Sequence, residues 1–283
     1  AGHSGLSVFL YSDGNMYDLG TLEGFSTFAS DINDAGDVVG WGNTASGGWH
    51  AFLYSGGTMQ DLGTFGGTKS VATAINNYGH AVGGAVPSAG TSYRAFIYAD
   101  ETMHNLNDLV PSDSSWILQY AVDINDAGQI LGHGLISGEF HAFLLTPIPE
   151  PVSIDIIPKT CPSECPIKGG GAVEVVVHGT SAFDVTNIDI ASVRLEGIAA
   201  VRSSLKDKST PVSNPVDECD CTTEGKDGYI DLCLKFDKKA IISALEGVTP
   251  DLEYPLSLSG VLNDGTSILG QDCIVFVKKG KKD

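Results

Sequence analysis

A repeated ten-residue motif limits the possible folds of this chain more than any other feature. It reads Ile-Asn, two variable residues and Gly ahead of a short apolar run, and it occupies residues 31–40, 74–83 and 123–132. An apolar motif centred on a phenylalanine alternates with it, and the steps between those phenylalanines are 43, 44 and 47 residues. Units of about 40 to 50 residues with four short apolar runs are typical of β-propeller blades.

The apolar runs of the first unit predict strands at residues 8–11, 16–20, 28–33 and 37–41. The link between the last two is Asn-Asp-Ala-Gly, in which Asn and Asp favour turns and Gly readily adopts a positive φ. We therefore interpret the repeated Asn and Gly as structural residues of a tight hairpin.

The combination of motifs resembles a known family. His-Ala-Phe stands at residues 50–52 and 141–143, and Met-x-Asp-Leu-Gly stands at 16–20 and 59–63. With three Ile-Asn-x-x-Gly turns, residues 8–145 resemble the HAF extracellular repeat. This resemblance implies a β-propeller-like architecture and no enzymatic activity.

The number of repeats leaves the edges of the sheets open. The repeats span about residues 8–50, 51–94 and 95–141, with an extra strand at 142–146, whereas propellers usually close with four to eight blades. Unpaired edges favour association. We expect either closure by another copy of the chain, with Phe143, Leu144 and Leu145 as assembly candidates, or a compact three-blade wedge within one chain.

A proline-rich segment at residues 146–151 predicts a linker between domains 1–147 and 148–283. Beyond it, residues 239–246 predict a short helix, and apolar runs predict strands. These runs lie at 152–157, 172–177, 191–195, 229–236, 256–262 and 273–277. The sequence thus predicts an all-β chain with a three-repeat β-propeller-like domain followed by an Ig-like β-sandwich.

Charge is distributed unevenly along the chain. Its 16 basic and 35 acidic residues give a net charge of −19, and 15 acidic but 2 basic residues lie in the stretch up to Glu150. This acidity excludes nucleic acid as an expected partner. The basic tail, with Lys278, Lys279, Lys281 and Lys282, is either solvated or docks on the acidic half of a neighbour.

Two further patterns concern localisation. No apolar run reaches the roughly 18 to 20 residues that a membrane-spanning helix needs, so no membrane span is expected. The chain begins at Ala1, and we expect it to follow a cleaved signal peptide and to be extracellular or on the cell surface.

All six cysteines lie in the second half of the chain. Their even number, and the absence of the paired Cys-x2-Cys pattern of zinc sites, favour disulfides over a structural metal site or free thiols. Six cysteines allow 15 connectivities, so their spacing leaves the pairing open. They are Cys161, Cys165, Cys219, Cys221, Cys233 and Cys273.

Residues 152–277 resemble a domain that is common at the C-terminus of bacterial and archaeal extracellular proteins. The segments that carry this resemblance are 179–186, 190–197, 227–236 and 268–273. In that family a calcium loop usually precedes the position of Gly228. Here Asp220, Thr223, Asp227 and Asp231 form a weak version of it that lacks two acidic or amide ligands, so Ca²⁺ competes with a loop held by its cysteines.

Relative to the family pattern, Cys165 and Cys233 are the extra pair, which implies a bridge between them. A Cys161–Cys273 bridge would tie the first and last strands together. This leaves Cys219 with Cys221, or a different arrangement of the six.

Motifs of nucleophile elbows, zinc proteases, phosphate loops and dinucleotide-binding folds are absent from the sequence. We therefore expect a non-enzymatic, secreted structural protein of a cell surface or extracellular matrix that self-associates into an oligomer or filament. The alternative is an adhesion module that binds glycans or other surface proteins, and a secreted hydrolase ranks third.

Overall fold

The computed structural model describes residues 6–213, 217 and 219–278. Strands dominate it, which confirms the predicted all-β class. The chain divides into two compact units, Ala1–Pro147 and Ile148–Asp283. Among the described residues, no helix is long and apolar enough to cross a membrane.

From residue 6 onward, the first unit contains short strands joined by tight turns, with a 3-10 turn at Leu106–Asp108. The strands are β1 Val8–Ser12, β2 Asn15–Gly20, β3 Thr27–Ile32, β4 Val38–Asn43, β5 Trp49–Ser55, β6 Thr58–Gly63, β7 Gly66–Ile75, β8 Ala81–Pro87, β9 Arg94–Ala99, β10 Thr102–Asn105, β11 Trp116–Ile124, β12 Ile130–Ile136 and β13 Glu139–Leu145.

These strands form successive antiparallel meanders. Repeat A is the hairpin β1–β2, repeat B comprises β3 to β6, repeat C comprises β7 to β10, and repeat D comprises β11 to β13. These meanders are offset by half a unit from the predicted sequence repeats, since β3 and β4 continue into β5 and β2 pairs with β1. The offset arises because a hairpin joins β4 to β5 and keeps both strands in one sheet, whereas the segment after β2 leads the chain out of the β1–β2 sheet.

The sheets of this unit remain open in the described part of the chain. Repeats B and C join into one eight-stranded sheet through a single parallel pair, Trp49 and Lys69, while repeats A and D form sheets of two and three strands. Repeat D has no strand equivalent to β6 or β10. A propeller-like closure therefore stays a prediction.

The glycine that ends each ten-residue motif is required by close packing of the backbone. In repeats B and C, a Cβ at Gly40 or Gly83 would clash with the carbonyl oxygen of Phe28 or Val71 on the neighbouring strand. Both strand pairs contain a β-bulge near this contact. A bulge brings the backbones close enough that only Gly fits.

The asparagines of the motif connect the repeats. Within each turn the Asn side chain accepts backbone N–H bonds, as Asn76 does from Tyr78 and His80 at 3.1 and 3.0 Å. Across repeats, the amide of Asn33 donates to the carbonyl oxygen of Asn76 at 3.1 Å, and Asn76 donates to that of Asn125 at 3.2 Å. The predicted structural role of these residues is thus extended from the hairpin to the stacking of repeats.

In its described residues, the second unit contains further strands, one α-helix and a 3-10 turn at Val185–Asn187. The strands are β14 Glu150–Pro151, β15 Ile154–Ile156, β16 Glu164–Pro166, β17 Ala172–Val177, β18 Arg194–Leu195, β19 Ile198–Ala199, β20 Arg202–Lys206, β21 Asp231–Asp237, β22 Glu253–Val261 and β23 Ser267–Val277.

Two sheets of this unit share one hydrophobic core. One has the order β15-β17-β21-β20, and the other has the order β14-β23-β22-β18-β19 with β16 also on β23. Alternation along β17 and β21 sends residues such as Val175 and Leu234 into the core. The short strands β14 and β16 run parallel to β23, so the second sheet is mixed, and an Ig-like topology stays a prediction.

The predicted helix forms as α1, Lys238–Ala244. It begins where the Asp237 side chain accepts a hydrogen bond from the backbone N–H of Ala240 at 2.9 Å, as an N-cap does. Ile241 is buried in the sandwich core. The helix therefore closes one side of the core.

Candidate functional site

Equivalent positions build the contact between each pair of successive repeats. We call the residues that pack against the following repeat the leading face, and those that pack against the preceding repeat the trailing face. Val39, Ala51, Leu53 and Leu62 form the leading face of repeat B. They share one apolar cluster with the trailing face of repeat C, which comprises Ala81, Phe96, Tyr98 and Met103.

The same pattern holds at the other two contacts. The leading face of repeat A (Val8, Leu10, Leu19) packs on the trailing face of repeat B (Val38, Phe52, Tyr54, Met59). The leading face of repeat C (Val82, Ala95, Ile97, Leu106) packs on the trailing face of repeat D (Ile130, Phe143, Leu145). Strand alternation causes this division, because neighbouring residues point to opposite faces of a sheet.

Within the described residues, no other repeat packs on the trailing face of repeat A. It consists of Phe9, Tyr11 and Met16, of which Phe9 is 57% and Tyr11 68% exposed, and Met16 is also exposed. The equivalents of Phe9 in repeats B and C, Phe52 and Phe96, are 0% exposed. Large apolar side chains therefore reach solvent at positions that are buried or half-buried in repeats B and C.

No repeat in the described part of the chain packs on the leading face of repeat D. Leu131 and Leu144 are cross-strand partners there, and both are exposed, Leu144 by 62%. The equivalents of Leu131 on the leading faces of repeats B and C, Val39 and Val82, are 0% exposed, and those of Leu144, which are Leu53 and Ile97, are half-buried. The repeat unit thus ends in two different apolar faces.

The predicted assembly residues fall on both sides of β13. Leu144 is exposed, but Phe143 and Leu145 pack against repeat C, so including these two was wrong. Lys278 is exposed at the end of β23, whereas Lys279, Lys281 and Lys282 lie outside the described residues. Phe9, Tyr11 and Met16 were not singled out from the sequence, although counting alternate positions in the repeated motifs would have placed them on a trailing face.

The predicted calcium ligands are not gathered around one point. Asp231 is buried and its carboxylate accepts backbone N–H bonds from Gly179, Lys208 and Ser209 at 3.1, 2.7 and 3.2 Å. Asp231 therefore anchors the start of the loop to the sheet. Ca²⁺ at this loop stays a prediction.

The remaining three predicted ligands are spread along the loop. The Asp227 carboxylate accepts the Tyr229 N–H at 3.0 Å, Asp220 accepts the Asp217 N–H at 3.4 Å, and Thr223 is exposed. Asp207, which sequence had not singled out, accepts the backbone N–H groups of Asp227 and Gly228.

One group of three metal-ligand side chains occurs within the described ranges, with ligand atoms within 4.8 Å of one another: Cys219, Glu253 and Cys273. Its two sulfurs are joined in a disulfide. A disulfide leaves no thiolate for a metal ion. The two cysteines of this group therefore have a structural role as a covalent cross-link.

Two disulfides hold the loop that carries Cys219 and Cys221. The bridges are Cys161–Cys221 and Cys219–Cys273. The predicted bridges Cys161–Cys273 and Cys219–Cys221 were therefore wrong, because each cysteine of the Cys-x-Cys pair reaches a different part of the sandwich.

The predicted Cys165–Cys233 bridge was also wrong. Both residues are buried free thiols. Cys165 belongs to the sandwich core, while Cys233 lies between Leu232 and Leu234, which point into that core. Strand alternation places Cys233 on the opposite face of its sheet, so the two sulfurs lie on different sides of the backbone.

A buried Ser-His pair lies beside the same sheet. The Nε2 atom of His178 is 3.0 Å from the Ser209 hydroxyl, and Nδ1 is 3.0 Å from the Ser153 hydroxyl. Burial lowers the pKa of His178. A catalytic triad would place a carboxylate at Nδ1, and here a hydroxyl occupies that position, so the pair is best explained as a satisfied polar core.

Asp155 gives the second unit a specific pH dependence. It is buried, neither carboxylate oxygen makes a hydrogen bond of normal geometry, and burial raises its pKa to about 6 from 3.8. The nearby Asp231 acts in the same direction, while Ser209 and Lys208 oppose it. The folded protein therefore binds a proton more strongly than the unfolded chain does, and the associated stability is complete below pH 3.8 and is lost as the pH rises to about 6.

We expect Asp155→Asn to remove about 2 kcal/mol of the fall in unfolding free energy between pH 4 and 7. Urea unfolding followed by far-UV circular dichroism at both pH values would measure this. The exposed Asp113→Asn serves as control. Equal pH slopes for wild type and Asp155→Asn would contradict the assignment.

A cleft on the outer face of the β15-β17-β21-β20 sheet is basic, in contrast to the acidic chain. Its volume is about 240 Å³, and its lining includes Arg202, Lys206, Lys208 and Lys235. Arg202 and Lys235 are cross-strand partners, and Lys208 pairs with Glu174 at 2.5 Å. Like charges directly opposite each other repel, so this cleft is suited to an anionic group.

Comparisons with known proteins add little to these observations. No family model matches the chain, and no curated protein matches it. Among solved structures, a match is the crystal structure of the S-layer protein SbsC domains 4 and 5, at 12% identity over 88% of this chain and 92% of that chain, with a TM-score of 0.19. A TM-score this low supports no argument about fold or function.

Proposed function

We propose that this chain is a secreted structural protein of a cell surface or extracellular matrix, and that it self-associates through its repeat unit. The observation that supports this most directly is the exposure of Phe9 and Leu131 at positions that are buried in repeats B and C, together with that of Leu144 at a position that is half-buried there. Exposed apolar patches on soluble proteins commonly mark interaction sites.

Two features of the second unit agree with an extracellular role. Its two disulfides, Cys161–Cys221 and Cys219–Cys273, are of the kind that persists in oxidising compartments. Its core and loop are anchored by buried polar contacts around Asp231 and His178. Such a unit is suited to the role of a rigid, non-catalytic module.

Sedimentation velocity over a hundredfold range of concentration, combined with negative-stain microscopy, tests the proposal. We expect species larger than the 29.6 kDa monomer that grow with concentration into rings or filaments. A uniform monomer at every concentration would overturn it, and turnover of a polysaccharide would instead support a hydrolase.

Glycan binding is the second candidate, and the basic cleft with Arg202 and Lys235 favours it. A monomer that binds sulfated or carboxylated glycans, with binding abolished by Lys235→Glu, would move this candidate to first place.

A further inference from the structure

Resting on the proposed self-association, we propose that the leading face of repeat D docks on the trailing face of repeat A of a second copy, so that copies join head to tail. The partner is thus this same chain, and the contact extends the repeat-to-repeat packing already present three times within it.

The exposed trailing face has the same side chains as a buried one. Phe9, Tyr11 and Met16 occupy the positions of Phe96, Tyr98 and Met103 in repeat C, residue type for residue type. In repeat C this Phe-Tyr-Met set packs against the leading face of repeat B. Repeat A therefore presents a surface whose partner is known from the interior of the same molecule.

The exposed leading face of repeat D resembles the leading face of repeat B, which is the partner of the buried Phe-Tyr-Met set. Leu131 and Leu144 face each other across β12 and β13, as Val39 and Leu53 do across β4 and β5. Ala142 stands where Ala51 and Ala95 stand, and both of those are buried while Ala142 is exposed. Aliphatic side chains thus occupy the leading positions of β12 and β13, whereas repeat D lacks an equivalent of Leu62 because its described part has no fourth strand.

The two faces differ, so the contact is heterologous. A heterologous contact uses different surfaces on the two copies and produces rings or open filaments. The repeat unit is acidic, and the stretch up to Glu150 contains 15 acidic and 2 basic residues. Copies therefore repel each other at low salt, and association is best measured at about 0.15 M salt or more, where this repulsion is screened.

Complementary variants test which faces meet. Leu144→Glu places a charge on the leading face of repeat D and leaves the trailing face of repeat A unchanged. Tyr11→Glu places a charge on the trailing face of repeat A and leaves the leading face of repeat D unchanged. We expect each variant alone to be monomeric, with self-association weakened at least about thirtyfold, as for a central interface residue. An equimolar mixture should form a one-to-one dimer, because each variant retains the face that the other lacks.

Val201→Glu is the matched control, since Val201 is similarly exposed but lies in the second unit. It should associate like the wild type. Unchanged circular dichroism and tryptophan emission would show that the variants fold, which is expected because both positions are exposed.

The outcomes separate this inference from the proposed function. A monomeric wild type would overturn both. If the wild type and both variants, Leu144→Glu and Tyr11→Glu, associate, the face assignment alone is overturned. A single variant that forms a homodimer, or a mixture that stays monomeric, would also overturn the face assignment alone.

Discussion

Replacing Cys161 and Cys221 together by alanine is expected to lower the unfolding free energy of the second unit by about 4 kcal/mol. This bridge joins residues 60 positions apart, and a cross-link over such a loop restricts the unfolded chain by roughly that amount. It also ties the 207–230 loop to the segment before β16. The shift is measured by urea unfolding with far-UV circular dichroism.

The three tryptophans, Trp41, Trp49 and Trp116, all lie in the repeat unit, so their emission provides an internal control. We expect the tryptophan transition of this double variant to stay at the wild-type urea concentration. Alkylation of the denatured, unreduced wild type should modify Cys165 and Cys233 alone. Modification of Cys161 or Cys221 would show that the bridge is wrongly assigned.

Asn76→Ala is expected to destabilise the repeat unit by about 3 kcal/mol. Asn76 is buried, accepts two backbone N–H bonds in its own turn and donates one bond to the carbonyl oxygen of Asn125. Each lost bond costs about 1 kcal/mol, and a buried group left without a partner costs more. The tryptophan transition in urea reports this loss.

Asn125→Ala is the matched comparison, because Asn125 accepts the Gln129 N–H within its own turn and its amide donates to the Gln129 side chain. Its loss removes no described hydrogen bond from its amide to another repeat. We expect a cost of about 1 kcal/mol for this variant. Equal losses for the two variants would mean that the bond between repeats contributes nothing measurable.

The hairpin of the repeat motif could be predicted from the sequence because turn preferences depend on residues that are close together in the chain. Asn and Gly at fixed positions specify a hairpin whatever surrounds them, and strand, helix and linker positions followed from alternation and proline content. The contact between Asn76 and Asn125 was not readable, because it joins atoms 49 residues apart whose distance depends on how the meanders stack.

The cysteine pairing failed for a related reason. Spacing along the chain identified six candidates, but a disulfide forms only where two Cα atoms come within a few ångströms of each other. Cys233 alternates with core residues, and Cys165 lies within the core. No local pattern reveals which face of which sheet a given cysteine will occupy.

The amino-acid order by itself determined the all-β class, the repeat period, the turn residues and the identity of the side chains on each strand, because these depend on interactions between near neighbours in the chain. The tertiary structure alone decided which of those side chains are covered. Phe9 and Phe52 occupy the same position in the same motif, yet one is exposed and the other is buried. Burial depends on whether another sheet lies in front, and that is a property of the assembled repeats.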